Sequence, residues 1–185
     1  MKSMLTKNDT IILFTLASLS IFLSLLFVNI VPPMPVVSDS MDYNNIATSI
    51  IDQRVYPTIS NELILYPPFY PIFLSIIYAI THIGFFTAIY FIQYLLVGGI
   101  AIFVFLILRK FSQVSATTAT IASITTMFWP YFILYSQLIS SEILYSFLLI
   151  LSLFLFFNIN EDSKKITVIC TGIFMGLAIL TRPVA

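Results

Sequence analysis

Only 9% of the residues in this 185-residue chain are charged, so the groups able to do chemistry are few and easily placed. Asp39 and Asp42 stand three apart in Ser38-Asp39-Ser40-Met41-Asp42-Tyr43, Glu142 follows Ser140-Ser141, and Arg182 sits in Leu180-Thr181-Arg182-Pro183. Carboxylates can exchange protons, and a guanidinium can hold an anion. Each of these residues also has a plainly structural reading. Asp39 can cap a helix with Asp42 as its acidic partner, Glu142 can face the helix dipole from a first turn, and Arg182 can snorkel at the end of a span. An acid at a lipid boundary is still costly enough to raise a functional question. His82 is the only histidine and Cys170 the only cysteine. One histidine builds neither a metal site nor a triad, and one cysteine excludes an intrachain disulfide framework and a Cys-based zinc cluster. The chain contains no phosphate loop, dinucleotide fingerprint or zinc signature.

The elements that must position these groups follow from composition. The chain is 59% hydrophobic, with 18 Phe against 1 Trp and a net charge of zero. A soluble domain has about 45–50% apolar and about 25% charged residues, and a disordered one has low hydrophobicity with high net charge. With no basic excess, nucleic acid is excluded as a partner. The composition predicts an all-α polytopic membrane protein. Ile11–Val31 is a charge-free run of 21 residues, about 31 Å as a helix, against a bilayer core of about 30 Å. It is longer than the apolar core of a cleavable signal peptide and reads as a retained span. Further spans are expected at Phe85–Leu108, at Ala116–Tyr135 with Trp129-Pro130-Tyr131 as an aromatic belt, at Ile143–Phe157 and at Ile166–Leu180.

Charge asymmetry decides the segment 66–82. If it does not cross and the N-terminus is cytoplasmic, then Lys2, Lys7, Arg109, Lys110, Lys164 and Lys165 all lie inside, with only Arg54 and Arg182 outside. If it crosses, most of these charges face out, against the positive-inside rule. An interfacial or re-entrant helix over about 67–82 is therefore expected in an outer loop spanning 32–84, with Pro67 and Pro68 at its start. Asp39, Asp42, Asp52, Glu62 and Glu142, five of the eight acids, then gather on the outer face together with Arg182.

Within that loop Tyr43, Ile46, Ala47, Ile50 and Ile51 recur at helical spacing while Asn44, Asn45, Thr48, Ser49, Asp52 and Gln53 fill the other face. This predicts an amphipathic interfacial helix over about 39–54. Gly172 and Gly176, and the pairs Ala116/Thr120 and Ala119/Ser123, read as seats for close helix packing. Gln93 reads as a bond to a neighbouring helix.

Four motifs stand in a set order: Ser38-Asp39 through Ala47, then Tyr66-Pro67-Pro68-Phe69-Tyr70-Pro71, then Ser141-Glu142-Ile143-Leu144-Tyr145, then Gly172 through Leu180-Thr181-Arg182-Pro183. This order resembles the N-terminal membrane half of the C-superfamily glycosyltransferases, closest to the family-39 group of protein O-mannosyltransferases and aminoarabinose lipid A transferases. The resemblance covers roughly residues 8–185. It implies that Asp39, four residues before Tyr43, is the general base. It implies a substrate-binding set of Asp42, Tyr43, Tyr66, Glu142 and Arg182, with Tyr66 standing where look-alike enzymes often carry a Lys or Arg before the Pro-Pro.

The chemistry so implied is transfer of a sugar from a polyprenyl-phosphate donor to a lipid, glycan or protein acceptor on the outer face of the cell membrane. A carboxylate takes the acceptor proton, a basic residue steadies the leaving phosphate, and one displacement inverts the anomeric centre. The outer acids could hold a divalent cation, although no ligand spacing demands one. Because family members have many more spans, the resemblance also implies that these residues form the first part of a larger protein. The alternatives are a membrane scaffold or transporter subunit, and a related glycan ligase or polymerase. Nearly charge-free spans at mid-depth argue against a transporter.

Overall fold

The computed structural model describes residues 5–31, 39–54, 56–57, 66–112, 114–159 and 165–182, and among these the chain is entirely helical. Eight helices are described: α1 (Lys7–Ile30), α2 (Asp39–Gln53), α3 (Phe69–Ile80), α4 (Phe86–Lys110), α5 (Ala116–Met127), α6 (Pro130–Tyr135), α7 (Glu142–Phe157) and α8 (Lys165–Thr181). Expectations resting on Lys2, Ser38, Glu62, Lys164 and Pro183 lie outside the described residues.

Two helices, α1 and α4, are long and apolar enough to cross a membrane. At 24 and 25 residues they measure about 36 and 37 Å. They pack antiparallel along their whole length. Asp9 meets Arg109 at one end, Leu16 packs with Phe105 in the middle, and Phe27 stacks on Tyr94 toward the other end. The close approach is made possible by Gly98, where a methyl group would collide with the side chain of Ser20. The neighbouring Gly99 similarly admits the ring of Phe147 from α7.

The remaining columns alternate around α4. Lys110 donates to the Asn158 side chain at 2.6 Å, so α4 and α7 end together and run parallel. Arg182 pairs with Glu142, so α8 returns antiparallel to α7. The end holding Asp9 and Arg109 is called the lower end here, and the end holding Glu142 and Arg182 the upper end. Burial is inverted relative to a soluble bundle. Ser24, Gln93, Ser123 and Ser152 are wholly buried, whereas Phe14, Phe22, Ile121, Ile169, Ile173 and Ile179 are exposed.

The structure corrects two sequence expectations. Ala116–Tyr135 is not one continuous helix. It breaks at Phe128–Trp129, and α6 restarts with Pro130 in its first turn. Proline lacks the amide hydrogen that would continue the ladder and holds the residue before it in extended geometry, and Trp129 has φ −64° and ψ 122°. Gly172 and Gly176 seat no helix among the described residues, since a methyl group at either would touch nothing. Ala119 and Ser123 are fully buried, with Ala119 against Ala101 and Phe105 of α4.

The short helices α2 and α3 cap the upper end. Twelve residues of α3 reach only about 18 Å. Its first turn bonds to α4 through Tyr70 and Gln93, and its C-terminus leads directly into the start of α4. Both ends of α3 therefore stay at the upper end. Helix α2 packs on α3 through Tyr43 and Ala47 within the cluster of Tyr70, Leu74, Ile77 and Tyr78.

Candidate functional site

The six residues singled out by motif meet at the upper end, from four separate segments. Asp39 is the first helical residue of α2 and Asp42 lies one turn on, both exposed. Asp39 is thus inside the helix, where its carboxylate adds to the favourable first-turn charge. The hydroxyl of Tyr66, just before α3, reaches both acids. It donates to Asp42 Oδ2 at 2.6 Å and lies 3.2 Å from Asp39 Oδ1. Its proton is held above the ordinary tyrosine value, chiefly by the Asp42 bond and then by burial and the Asp39 charge.

Tyr43 is the pillar beneath. Its ring is buried, edge-on to Tyr66 at 5.0 Å and to Tyr70 at 4.8 Å. Its hydroxyl donates to Ser141 Oγ at 3.4 Å, which ties α2 to the start of α7. Burial pushes the Tyr43 phenol up, Glu142 and Asp39 add to this, and Ser141 and Arg182 oppose it. Tyr43 therefore lies within electrostatic reach of both charged groups at this end.

The second group is Glu142, the first residue of α7, paired with Arg182 just past α8. Glu142 is 16% exposed and Arg182 44% exposed, so the guanidinium faces solvent more than its partner does. Burial works to lower the Arg182 value, but the Glu142 carboxylate outweighs it and the net shift is upward. The snorkelling and first-turn readings of these two residues are compatible with this pair. Asp52 is exposed at the far end of α2, away from the cluster. Beside the Glu142–Arg182 pair, the break before α6 leaves an open groove of about 400 Å³ lined by Thr125, Thr126, Trp129, Tyr131, Phe132 and Ser146.

Several supporting residues were given no part in the site by the sequence. Tyr70 is wholly buried and donates to Gln93 Oε1 at 3.1 Å, while Gln93 Nε2 donates to the carbonyls of Ser136 and Leu138 at 3.0 and 2.8 Å. Gln93 thus joins α3 to the turn leading into Ser141. Tyr78 donates to Asn44 Oδ1 at 2.6 Å, a second tie between α2 and α3. The signal available for Tyr70 was its place in Tyr-Pro-Pro-Phe-Tyr, and Gln93 bonds a neighbouring helix as its place in an apolar span predicted; nothing local marked Asn44 or Ser141 as partners of these tyrosines. At the lower end, Thr6 and Asp9 form a capping box, a threonine–aspartate spacing that was legible but unused. His82 is exposed and stacks on Phe85 at 4.8 Å.

Among the described residues, no group of three or more His, Cys, Asp or Glu is disposed to hold a metal ion. The arrangement offers proton-accepting carboxylates beside a phenol, with a solvent-facing guanidinium nearby. The chain matches no family model, no curated protein and no solved structure.

Proposed function

We propose that this chain forms part of a polytopic membrane glycosyltransferase with about five spans, its N-terminus cytoplasmic and its upper end on the outer face of the cell membrane. The donor is a sugar on a polyprenyl phosphate and the acceptor a hydroxyl of a lipid, glycan or protein. Asp39 takes the proton of that hydroxyl as the acceptor oxygen attacks the anomeric carbon. The carbon–phosphate-oxygen bond breaks, its electron pair leaves on the phosphate, and Arg182 steadies that charge. Attack from the opposite face inverts the centre.

The observation that carries this reading is the meeting of Asp39, Asp42, Tyr43, Tyr66, Glu142 and Arg182 at one end of the bundle, linked through Tyr43. The apolar outer faces of α1 and α8 support the membrane setting, since a hydrophobic exterior this extensive is stable in lipid and not in water. The pairing of Asp9 with Arg109 and of Lys110 with Asn158 puts the basic end of α4 beside the start of α1, in keeping with the positive-inside arrangement.

The test uses membranes containing the protein and a panel of polyprenyl phosphates bearing radiolabelled hexoses or pentoses. Label is expected to pass to lipid, glycan or protein with the wild type and to be lost with Asp39→Asn at unchanged membrane insertion. Full transfer by Asp39→Asn would remove Asp39 from the reaction, and no transfer from any donor in the panel would count against the class.

A further inference from the structure

The hydroxyl of Tyr66 meets two carboxylates unequally, at 2.6 Å from Asp42 Oδ2 and 3.2 Å from Asp39 Oδ1. A phenol has one hydrogen to donate and two lone pairs that accept. Hydroxyl-to-carboxylate bonds run about 2.5–2.7 Å, so the hydrogen is directed mainly at Asp42, and Asp39 holds the long arm of the pair. While Asp39 is charged that arm is poor. Once Asp39 carries a proton, it can donate to Tyr66 Oη while Tyr66 donates to the Asp42 carboxylate. The same three side chains then form two full bonds in series.

We propose that Tyr66 is a positioning residue for proton uptake by Asp39: its oxygen, anchored on Asp42, receives a hydrogen bond from Asp39 as that carboxylate takes a proton. The glycosyltransferase reading supplies the source of the proton, the acceptor hydroxyl, whose oxygen bonds to the anomeric carbon as phosphate departs; the contact geometry does not depend on it. Asp42 is on this view the anchor of Tyr66. An interaction that is weak before the proton arrives and strong afterwards stabilises the transition state more than the ground state, and so acts on kcat and not on KM. The groups facing Tyr66 fit this role. Asp42 and Tyr43 approach from α2, Tyr56 donates to the Tyr66 carbonyl at 3.4 Å, and Glu142 and Arg182 neutralise each other beyond Tyr43. Asp39 and Asp42 are thus the carboxylates that bear directly on the hydroxyl.

Infrared difference spectra of the full chain in lipid vesicles, recorded on acidification, isolate the carbonyl stretch of protonated Asp39 as the band lost in Asp39→Asn. That band is expected to shift in Tyr66→Phe, which removes one oxygen and keeps the ring against Tyr43. It is expected to stay in place in Tyr78→Phe, which loosens the same helix by removing its bond to Asn44. Asp42→Asn gives a second route, since weakening the anchor should shift the band with the phenol still present. A band unmoved in both Tyr66→Phe and Asp42→Asn, or moved equally by Tyr78→Phe, overturns the proposal. With a donor active in the panel above, Tyr66→Phe should lower kcat about tenfold while KM stays within about twofold. Transfer that needs Asp39 but a band indifferent to Tyr66 removes the positioning role alone. A band that shifts with Tyr66 while Asp39→Asn transfers normally removes Asp39 as the base, and a band that shifts with no transfer from any donor counts against the glycosyltransferase reading; both leave the contact standing.

Discussion

The pair between Asp9 and Arg109 joins helices 100 residues apart in sequence, and its two members are unequally exposed. Asp9 is 0% exposed and Arg109 19%. The Asp9 carboxylate accepts from Arg109 Nε at 2.6 Å and Nη2 at 3.0 Å, and from the Thr6 amide and hydroxyl at 2.8 Å each. Arg109 also donates to the Val114 carbonyl at 2.7 Å. Removing Arg109 therefore leaves a charge sealed from water with only the Thr6 cap, whereas removing the Asp9 charge leaves a guanidinium that keeps a carbonyl partner and can reach solvent. Breaking a buried pair by deleting one partner costs about 3–5 kcal/mol. Arg109→Met is expected to cost that much. Asp9→Asn keeps an acceptor for the Thr6 cap and should cost about 1–2 kcal/mol, the loss of a charged hydrogen bond. The double variant should cost clearly less than the sum, because no charge remains stranded, with a coupling of about 1–3 kcal/mol. Unfolding equilibria in bicelles or mixed micelles read these values. An Arg109→Met cost under about 1 kcal/mol, or strictly additive costs, would refute the view that the pair clamps α1 to α4.

Other outcomes can be checked separately. Gly98→Ala should destabilise the α1–α4 contact by about 1–3 kcal/mol through overpacking, since the new methyl group meets the Ser20 Cβ and not only its hydroxyl. Gly176→Ala should be neutral or stabilising by up to about 1 kcal/mol, as its site is open; thermal unfolding of both variants separates the two cases. The Tyr66 phenol is held in the folded protein above the ordinary tyrosine value of about 10, chiefly by its bond to Asp42. Its contribution to holding α2 on α3 is thus fully present below pH 10 and is lost as pH rises through the higher folded value. The wild-type minus Tyr66→Phe phenolate absorbance should rise well above pH 10, and a rise at pH 10 would contradict the clasp. In a Cys170→Ser background, Arg182→Cys should react with an impermeant thiol reagent from outside the cell and Lys110→Cys should not; the reverse pattern would invert the proposed orientation.

The boundaries of most helices were legible because apolar runs, prolines and charges act locally. The run at Ile11–Val31 appears as α1, extended back to Lys7 by the Thr6–Asp9 capping box, and the stretch around 39–54 appears as α2 with its apolar face on α3. The break after Met127 was missed although Pro130 announced it, because the absence of charge over 116–135 outweighed the loss of one backbone donor. The glycines were misjudged for a different reason. Spacing alone marks Gly172 and Gly176 as a seat, but whether a seat is filled depends on where other helices run, and the contacts fall instead at Gly98 and Gly99.

From the sequence alone follow an apolar all-helical chain, the places where its helices start and stop, and the handful of ionisable residues at their ends. Each is a property of residues close together, set by hydrophobicity, periodicity and backbone chemistry. Only the tertiary structure decided which ends share a face and what each charged group touches. That Tyr66 divides one hydrogen between Asp42 and Asp39, that Tyr43 reaches Ser141, that Glu142 holds Arg182 and that Asp9 is sealed beneath Arg109 all depend on long-range packing. A hydrogen bond or ion pair is settled within a few tenths of an ångström, and no local pattern along the chain fixes distances that fine between helices far apart in sequence.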